Sequence, residues 1–386
     1  MASDLSRFKI IPDGWQPDFK RFRRAITSSE PGPVPVGDLY ADGPIMSAFL
    51  GREVKSFARL MAAVASASQT RQAEALKEGT EHLKLSVEFY RAMGWDFVTT
   101  HSLLFFPGVR VHLASKEAPE IKGGRRAYMD STSGPIMSWE DFEKYPWPES
   151  PGTINLSGKI LASLAPEGMQ ALVLPGGLFE WATWLMGLVP FSYALYDQPD
   201  LVDAIIAKVS EIIYKAAEEL IEVPGIGGFF IGDDMGYYSG TMVAPKILRE
   251  KFLPHLKKMV DLAHGKGKLV VLHACGNLTE IMDDICDTGI DAKHSFEDKI
   301  MPVEEVHRRW GKRTGIVGGV DVNLLASGTE EDVRRRTREI LDSCGSAGRY
   351  VLGTGNSVAS YIPLENYLAM LDEGRRWNLD HFGRAY

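Results

Sequence analysis

Leu269-Val270-Val271-Leu272-His273-Ala274-Cys275-Gly276 is the stretch on which the reading of this chain turns. Branched apolar residues follow the turn signal Gly265-Lys266-Gly267 and stop at Gly276-Asn277, the pattern of a buried strand. His273 and Cys275 stand two residues apart, so on a strand both side chains leave the same face. An imidazole and a thiol side by side at the carboxyl end of a strand are both good ligands for zinc. The alternative is a small buried thiol packed beside a hydrogen-bonded histidine.

Outward from that strand the chain has a regular rhythm. Towards the amino terminus, Phe97–His101, Ala171–Gly177 and Gly228–Asp234 read as strands. Gln69–Met93, Leu178–Leu188, Pro199–Glu222 and Pro245–His264 read as helices between or beside them. Towards the carboxyl terminus, strands are expected at Ile290–His294, Gly315–Asp321 and Tyr350–Gly353. Helices are expected at Leu278–Thr288, Val303–Trp310 and Glu330–Cys344, with a last one from Pro363. Strand and helix alternate over short connections, which implies a parallel sheet with right-handed crossovers. About eight units fit once Val34–Tyr40 is taken as a first strand, so the expected fold is α/β, a (β/α)₈ TIM barrel forming a single domain. Residues 1–33, punctuated by four prolines, read as a polar amino-terminal arm and 34–386 as the barrel. Residues 104–157 are irregular and rich in Pro and Gly, with a hairpin near Arg125–Met129, and read as an insertion or cap over the barrel mouth.

Composition narrows the function classes. The chain has 386 residues, 45% hydrophobic and 24% charged, which suits a soluble globular protein. A formal net charge of -8 argues against nucleic acid, whose phosphates call for a basic surface. Three cysteines, Cys275, Cys286 and Cys344, suit a reducing cytoplasm better than a disulfide framework. Met1–Lys9 lacks the apolar core of a signal peptide, and no apolar run is long enough to cross a bilayer.

In a barrel of this kind the reacting groups sit at the carboxyl ends of the strands. Here those ends carry Asp38, His101, Asp233-Asp234, His273-Cys275, His294-Glu297, Asp321 and Thr354-Asn356. Asp233-Asp234 suits a metal ligand, a general base or a helix cap. Gly318-Gly319-Val320-Asp321 suits either close approach of a flat substrate or a tight turn with Asp321 as helix cap. Phe179, Trp181, Trp184, Phe191, Tyr193 and Tyr196 line a cleft or pack a helix on the barrel. Cys286 is placed in the core by its spacing within an amphipathic helix.

The segments Asp233-Asp234-Met235-Gly236, Pro254-His255-Leu256-Lys257-Lys258, His273-Ala274-Cys275-Gly276, Gly318-Gly319-Val320-Asp321 and Gly353-Thr354-Gly355-Asn356, followed by Pro363-Leu364-Glu365-Asn366, resemble the uroporphyrinogen decarboxylase superfamily. Within it the chain looks more like the cobamide-dependent methyltransferase branch than the decarboxylases. The resemblance implies a distorted (β/α)₈ barrel with a central cleft. The family's decarboxylases hold tetrapyrrole carboxylates with arginines near the amino terminus, whereas the corresponding Val34–Asp42 offers Asp38 and Asp42. The methyltransferase branch holds zinc with a His-x-Cys pair and a further cysteine. His273 and Cys275 match the pair, but Thr354 stands at the further position. A substitute ligand is expected from Asp234, His294 or Glu297.

The resemblance thus implies a cytoplasmic zinc methyltransferase that exchanges a methyl group with the cobalt of a corrinoid on a partner protein. Its expected metal ligands are His273 and Cys275. Asp234, Glu297 and Asp38 are the catalytic candidates, and Gly319, Asp321 and Asn356 the cofactor-facing ones. The expected partners are a small methyl donor or acceptor and a corrinoid protein, with a homodimer left open and neither nucleic acid nor membrane. Two other classes stand beside it: a metal-free lyase acting on a carboxylated tetrapyrrole, and a non-catalytic tetrapyrrole or corrinoid binder.

Overall fold

Seven apolar runs form one curled parallel sheet in the computed structural model, which describes residues 5–12, 14–55, 69–109, 111–113, 127–149 and 151–385. In chain order the strands are β1 (Phe97–His101), β2 (Gln170–Leu174), β3 (Ile226–Gly232), β4 (Leu269–His273), β5 (Ala292–His294), β6 (Gly315–Val317) and β7 (Tyr350–Val351). Each pairs in parallel with the next, so sequence order is spatial order. That is the arrangement expected when every strand returns through an outer helix. The helix Pro199–Leu220 shows why: Leu201, Val202, Ile205, Val209, Ile212, Ile213, Ala216 and Leu220 recur at helical spacing and are buried.

The eighth position closes the barrel without a full strand. Val36 bridges to Trp95 on one side and to Leu352 on the other, and Leu352 N–H donates to the Pro35 carbonyl at 2.9 Å. The strand expected over Val34–Tyr40 is cut to this bridge because Pro35 has no N–H to give a ladder. The barrel is therefore distorted at that seam.

Two further expectations need correction. Within the stretch taken as a polar arm, Phe19–Thr27 is a helix whose Phe19, Phe22 and Ile26 are buried. It packs at the amino-terminal ends of the strands, with the Phe22 ring 4.5 Å from that of Phe97. Arg21 ties it to the buried Asp96 through Nε and Nη2. Its many basic residues hid an apolar stripe at i, i+3 and i+7. The single helix expected over Pro245–His264 is instead Pro245–Ile247, a wide π-helical turn at Leu248–Phe252, and Leu253–Gly265. Pro254 has no N–H and its ring crowds the carbonyl of Glu250, so the α-helical ladder cannot run through.

The segment after β1 carries the expected antiparallel pair, Val111–Leu113 with Ala127–Met129. Farther along, Ile136 N–H donates to Leu185 O and Val189 N–H to Ser131 O, tying the stretch 131–136 to the helices that follow β2. Among the described residues no helix is long and apolar enough to cross a membrane.

Candidate metal and active site

Strand register sets the height of the site. Gly232 pairs with His273, His273 with His294, and His294 with Val317, so four neighbouring strands end in one row. Whatever follows Gly232 and His273 is therefore delivered to the same rim.

Asp233 and Asp234 leave β3 in opposite directions. The buried Asp233 carboxylate accepts from Phe179 N–H at 3.2 Å and Glu180 N–H at 3.0 Å, capping the helix Leu178–Met186. Burial pushes its pKa up to about 7. Asp234 turns inward, where its Oδ1 accepts from Cys275 N–H at 2.8 Å and lies 3.6 Å from His273 Nε2. Two turns must touch for this to happen. Gly276 (φ +80°) lies so close to Gly236 that a Cβ on it would sit 2.3 Å from the Gly236 carbonyl carbon. Only glycine supplies both that backbone angle and that gap.

Cys275 lies just past the end of β4, with its Sγ 3.3 Å from His273 Nε2. Asn356 Nδ2 donates to the sulfur at 3.2 Å and Ser295 Oγ at 3.5 Å. One ligand atom each from Asp234, His273 and Cys275 lies within 4.8 Å of the others. Tetrahedral zinc, with bonds of about 2.0–2.3 Å, asks for neighbouring ligand atoms roughly 3.3–3.8 Å apart. The sulfur–imidazole and carboxylate–imidazole separations fall in that range and the sulfur–carboxylate one is within 4.8 Å, so this nitrogen, sulfur and oxygen donor set suits such an ion. Burial pushes the Cys275 thiol up to about 12, and the Asp234 charge adds to it. Burial likewise lowers the pKa of His273. Without a cation the sulfur keeps its proton; a divalent ion would reverse that preference.

The other candidates for the missing ligand do not reach this group. His294 is fully buried with both nitrogens engaged, Nδ1 with His273 Nδ1 at 2.8 Å and Nε2 with Asp38 Oδ1 at 3.3 Å. Thr354 Oγ1 donates to Asp38 Oδ1 at 2.8 Å. Asp38 also accepts from Thr354 N–H, but burial outweighs these bonds and raises its pKa well above the usual carboxylate range. Glu297 lines a small cavity of about 40 Å³ with Gly276, Met282, Lys293, Ser295 and Trp310.

Of the cofactor-facing candidates, only Asn356 meets the site. Asp321 accepts from Asn323 N–H at 2.7 Å and Asp298 N–H at 3.0 Å, so it caps the helix Val322–Ser327. A Cβ on Gly319 would press into Val303, which makes it a packing glycine. In the aromatic set, Phe179 and Phe191 are core residues packed on Phe252, whereas Tyr193 and Tyr196 face solvent. Cys286 and Cys344 are buried. His101, at the end of β1, lies at the mouth with its ring 5.2 Å from that of Tyr40.

Sequence reasoning missed Lys293. It is buried, donates from Nζ to the carbonyls of Ala274, His294 and Ser295 at 3.1, 3.1 and 2.6 Å, and lies over the Phe296 ring. Burial lowers its pKa to about 8. It thereby ties the segment carrying Cys275 to the one leaving β5. The signal was a lysine inside a strand buried on both faces, a residue almost never found there without partners.

A family model described as uroporphyrinogen decarboxylase (URO-D) matches residues 74–377. The chain belongs to the uroporphyrinogen decarboxylase (URO-D) family. The methylcobamide:CoM methyltransferase of Methanosarcina mazei is 27% identical over 224 residues, 57% of this chain and 62% of that protein. The matched stretch thus spans less than two thirds of that relative. The enzyme of the same name from Methanosarcina acetivorans is 25% identical over 286 residues, 70% of this chain and 80% of that one. Among solved structures, a methyltransferase from Methanosarcina mazei superposes with a TM-score of 0.63 at 18% identity, covering 94% of this URO-D family chain and 99% of that one. A B12-independent methionine synthase from Shewanella sp. W3-18-1 does so with a TM-score of 0.52 at 14% identity, covering 91% and 96%. Both likenesses concern the fold.

Proposed function

We propose that this URO-D family chain is a methyltransferase that exchanges a methyl group with a corrinoid protein, using zinc held by Asp234, His273 and Cys275. The observation that carries the reading is the convergence of those three donor atoms at the open end of the barrel. The names of the Methanosarcina relatives support the corrinoid part. Zinc, when bound, would lower the pKa of an acceptor thiol so that it reacts as a thiolate. The chain's own groups do the rest. Asn356 and Ser295 donate to the Cys275 sulfur and hold its direction, and Asp234 fixes the Cys275 backbone as well as offering an oxygen. In the transfer the acceptor sulfur forms the new S–C bond, the Co–C bond breaks with both electrons left on cobalt, and the thiol proton passes to solvent. Three free thiols suit a reducing, cytoplasmic setting.

The test is a visible-spectrum assay with methylcobalamin and a small thiol under anaerobic conditions. Metal-replete protein is expected to demethylate the corrinoid, and chelator-treated protein to lose that activity and regain it with zinc. Methylcobalamin left intact by zinc-loaded protein, with carbon dioxide released from a porphyrinogen by metal-free protein, would overturn the reading.

A further inference from the structure

Behind His273 lies a chain of polar groups that no ligand role explains. His294 is fully buried, packed edge-on to Phe230 with ring centroids 5.5 Å apart, and joined at one nitrogen to His273 and at the other to Asp38. The backbone beside it is tight: a Cβ on Gly318 would lie 2.2 Å from the Thr354 carbonyl oxygen and 3.2 Å from His294 Cδ2. The glycine pair read from sequence as a platform for a flat substrate or a tight turn thus serves, at Gly318, to let the Thr354 backbone pass close beside the His294 imidazole.

Hydrogen counting gives this chain a direction. Two Nδ1 atoms 2.8 Å apart share one hydrogen, so one ring donates and the other accepts. If His273 Nδ1 carries it, His273 Nε2 is bare and faces Cys275 and Asp234, while His294 Nε2–H points at Asp38. If His294 Nδ1 carries it, His294 Nε2 is bare, which needs a hydrogen on Asp38, and His273 presents Nε2–H to the sulfur. Only the first arrangement can bind a cation, and it is the one an ionised Asp38 enforces. Burial raises the Asp38 pKa well above the usual carboxylate range and the Thr354 bonds offset only part of this, so the first arrangement is reached together with the cation that requires it.

We propose that Asp38 and His294 are positioning residues that set the tautomer of His273, turning its Nε2 lone pair towards Asp234 and Cys275 for metal capture. This rests on the metal reading above. Outer partners of metal-bound histidines typically change metal affinity by about 10- to 100-fold.

The test uses the whole chain loaded with cobalt(II), read by its absorption spectrum and by competition with a chelator. Wild type is expected to bind one equivalent with a sulfur-to-cobalt charge-transfer band. His294→Phe keeps ring volume but loses both hydrogen bonds; it is expected to weaken binding about 10- to 100-fold and to shift the ligand-field bands. His294→Asn, which keeps a donor and an acceptor, is expected to recover part of the affinity. Asp38→Asn, nearly isosteric, is expected to weaken binding by a smaller factor, and it decides the matter should His294→Phe not fold. Folded His294→Phe or Asp38→Asn protein with wild-type affinity and spectrum would overturn the positioning role. Wild type with no sulfur-to-cobalt band would instead overturn the metal reading.

Discussion

The two halves of the barrel rim use the same kinds of residue to different ends. Above β3, β4 and β5, Asp234, His273 and Cys275 converge, and His294 backs them. Above β6 and β7, Asp321 caps a helix, Gly319 packs on Val303, and Thr354 holds Asp38. The difference lies in how closely neighbouring turns approach. Gly236 and Gly276 let two loops touch and deliver a carboxylate to a sulfur, while the Asp321 carboxylate is satisfied by N–H groups of its own helix start and of Asp298. A polar residue at a strand end is therefore a candidate for chemistry only when the backbone N–H groups around it leave it an unused lone pair.

That contrast can be broken by mutation. The largest effect is expected from Cys275→Ser, which should lose bound zinc by more than about 100-fold in affinity, together with turnover, as measured by metal analysis and corrinoid demethylation. Asp234→Asn should lower zinc affinity by about 10- to 100-fold in a chelator competition, with the fold retained by circular dichroism. Retained affinity would move Asp234 to the structural half of the rim.

Asp233 allows a pH test on the neighbouring residue. Its folded pKa of about 7 lies above the ordinary 3.8, so between those values the folded state binds the extra proton. This contribution therefore stabilises the protein at low pH and is lost as pH rises through the window. Urea unfolding of wild type at pH 5 and pH 7 should show a loss from this group on the order of 2 kcal/mol, which Asp233→Asn should remove. An unchanged difference in the variant would show that another group carries the slope. The smallest effect is expected from Asp321→Ala. It should cost about 1 kcal/mol of stability, as expected of a lost helix cap, and leave zinc content unchanged.

Much of the architecture was legible in the sequence because alternating strand and helix patterns report burial directly. Val303–Trp310 was read with its bounds intact, and β4 was recognised from its apolar run. What escaped depends on contacts between distant segments. Phe19–Thr27 was masked by Lys20, Arg21, Arg23 and Arg24, of which Arg21 reaches in to the buried Asp96, while the apolar stripe faces the barrel floor. The π-helical turn before Leu253 arises from one proline, which a periodicity count does not register. At the site, the two-residue spacing of His273 and Cys275 was visible in the sequence, but that Asp234, rather than His294 or Glu297, comes to lie beside both follows from the touching turns at Gly236 and Gly276. The partners of His294 lie 21 and 256 residues away, beyond any local pattern.

Zinc K-edge X-ray absorption on the protein as purified tests the central claim most directly. The account predicts a single sulfur neighbour at about 2.3 Å, with the remaining neighbours nitrogen or oxygen at about 2.0–2.2 Å. A shell with no sulfur, or with two or more, would contradict it.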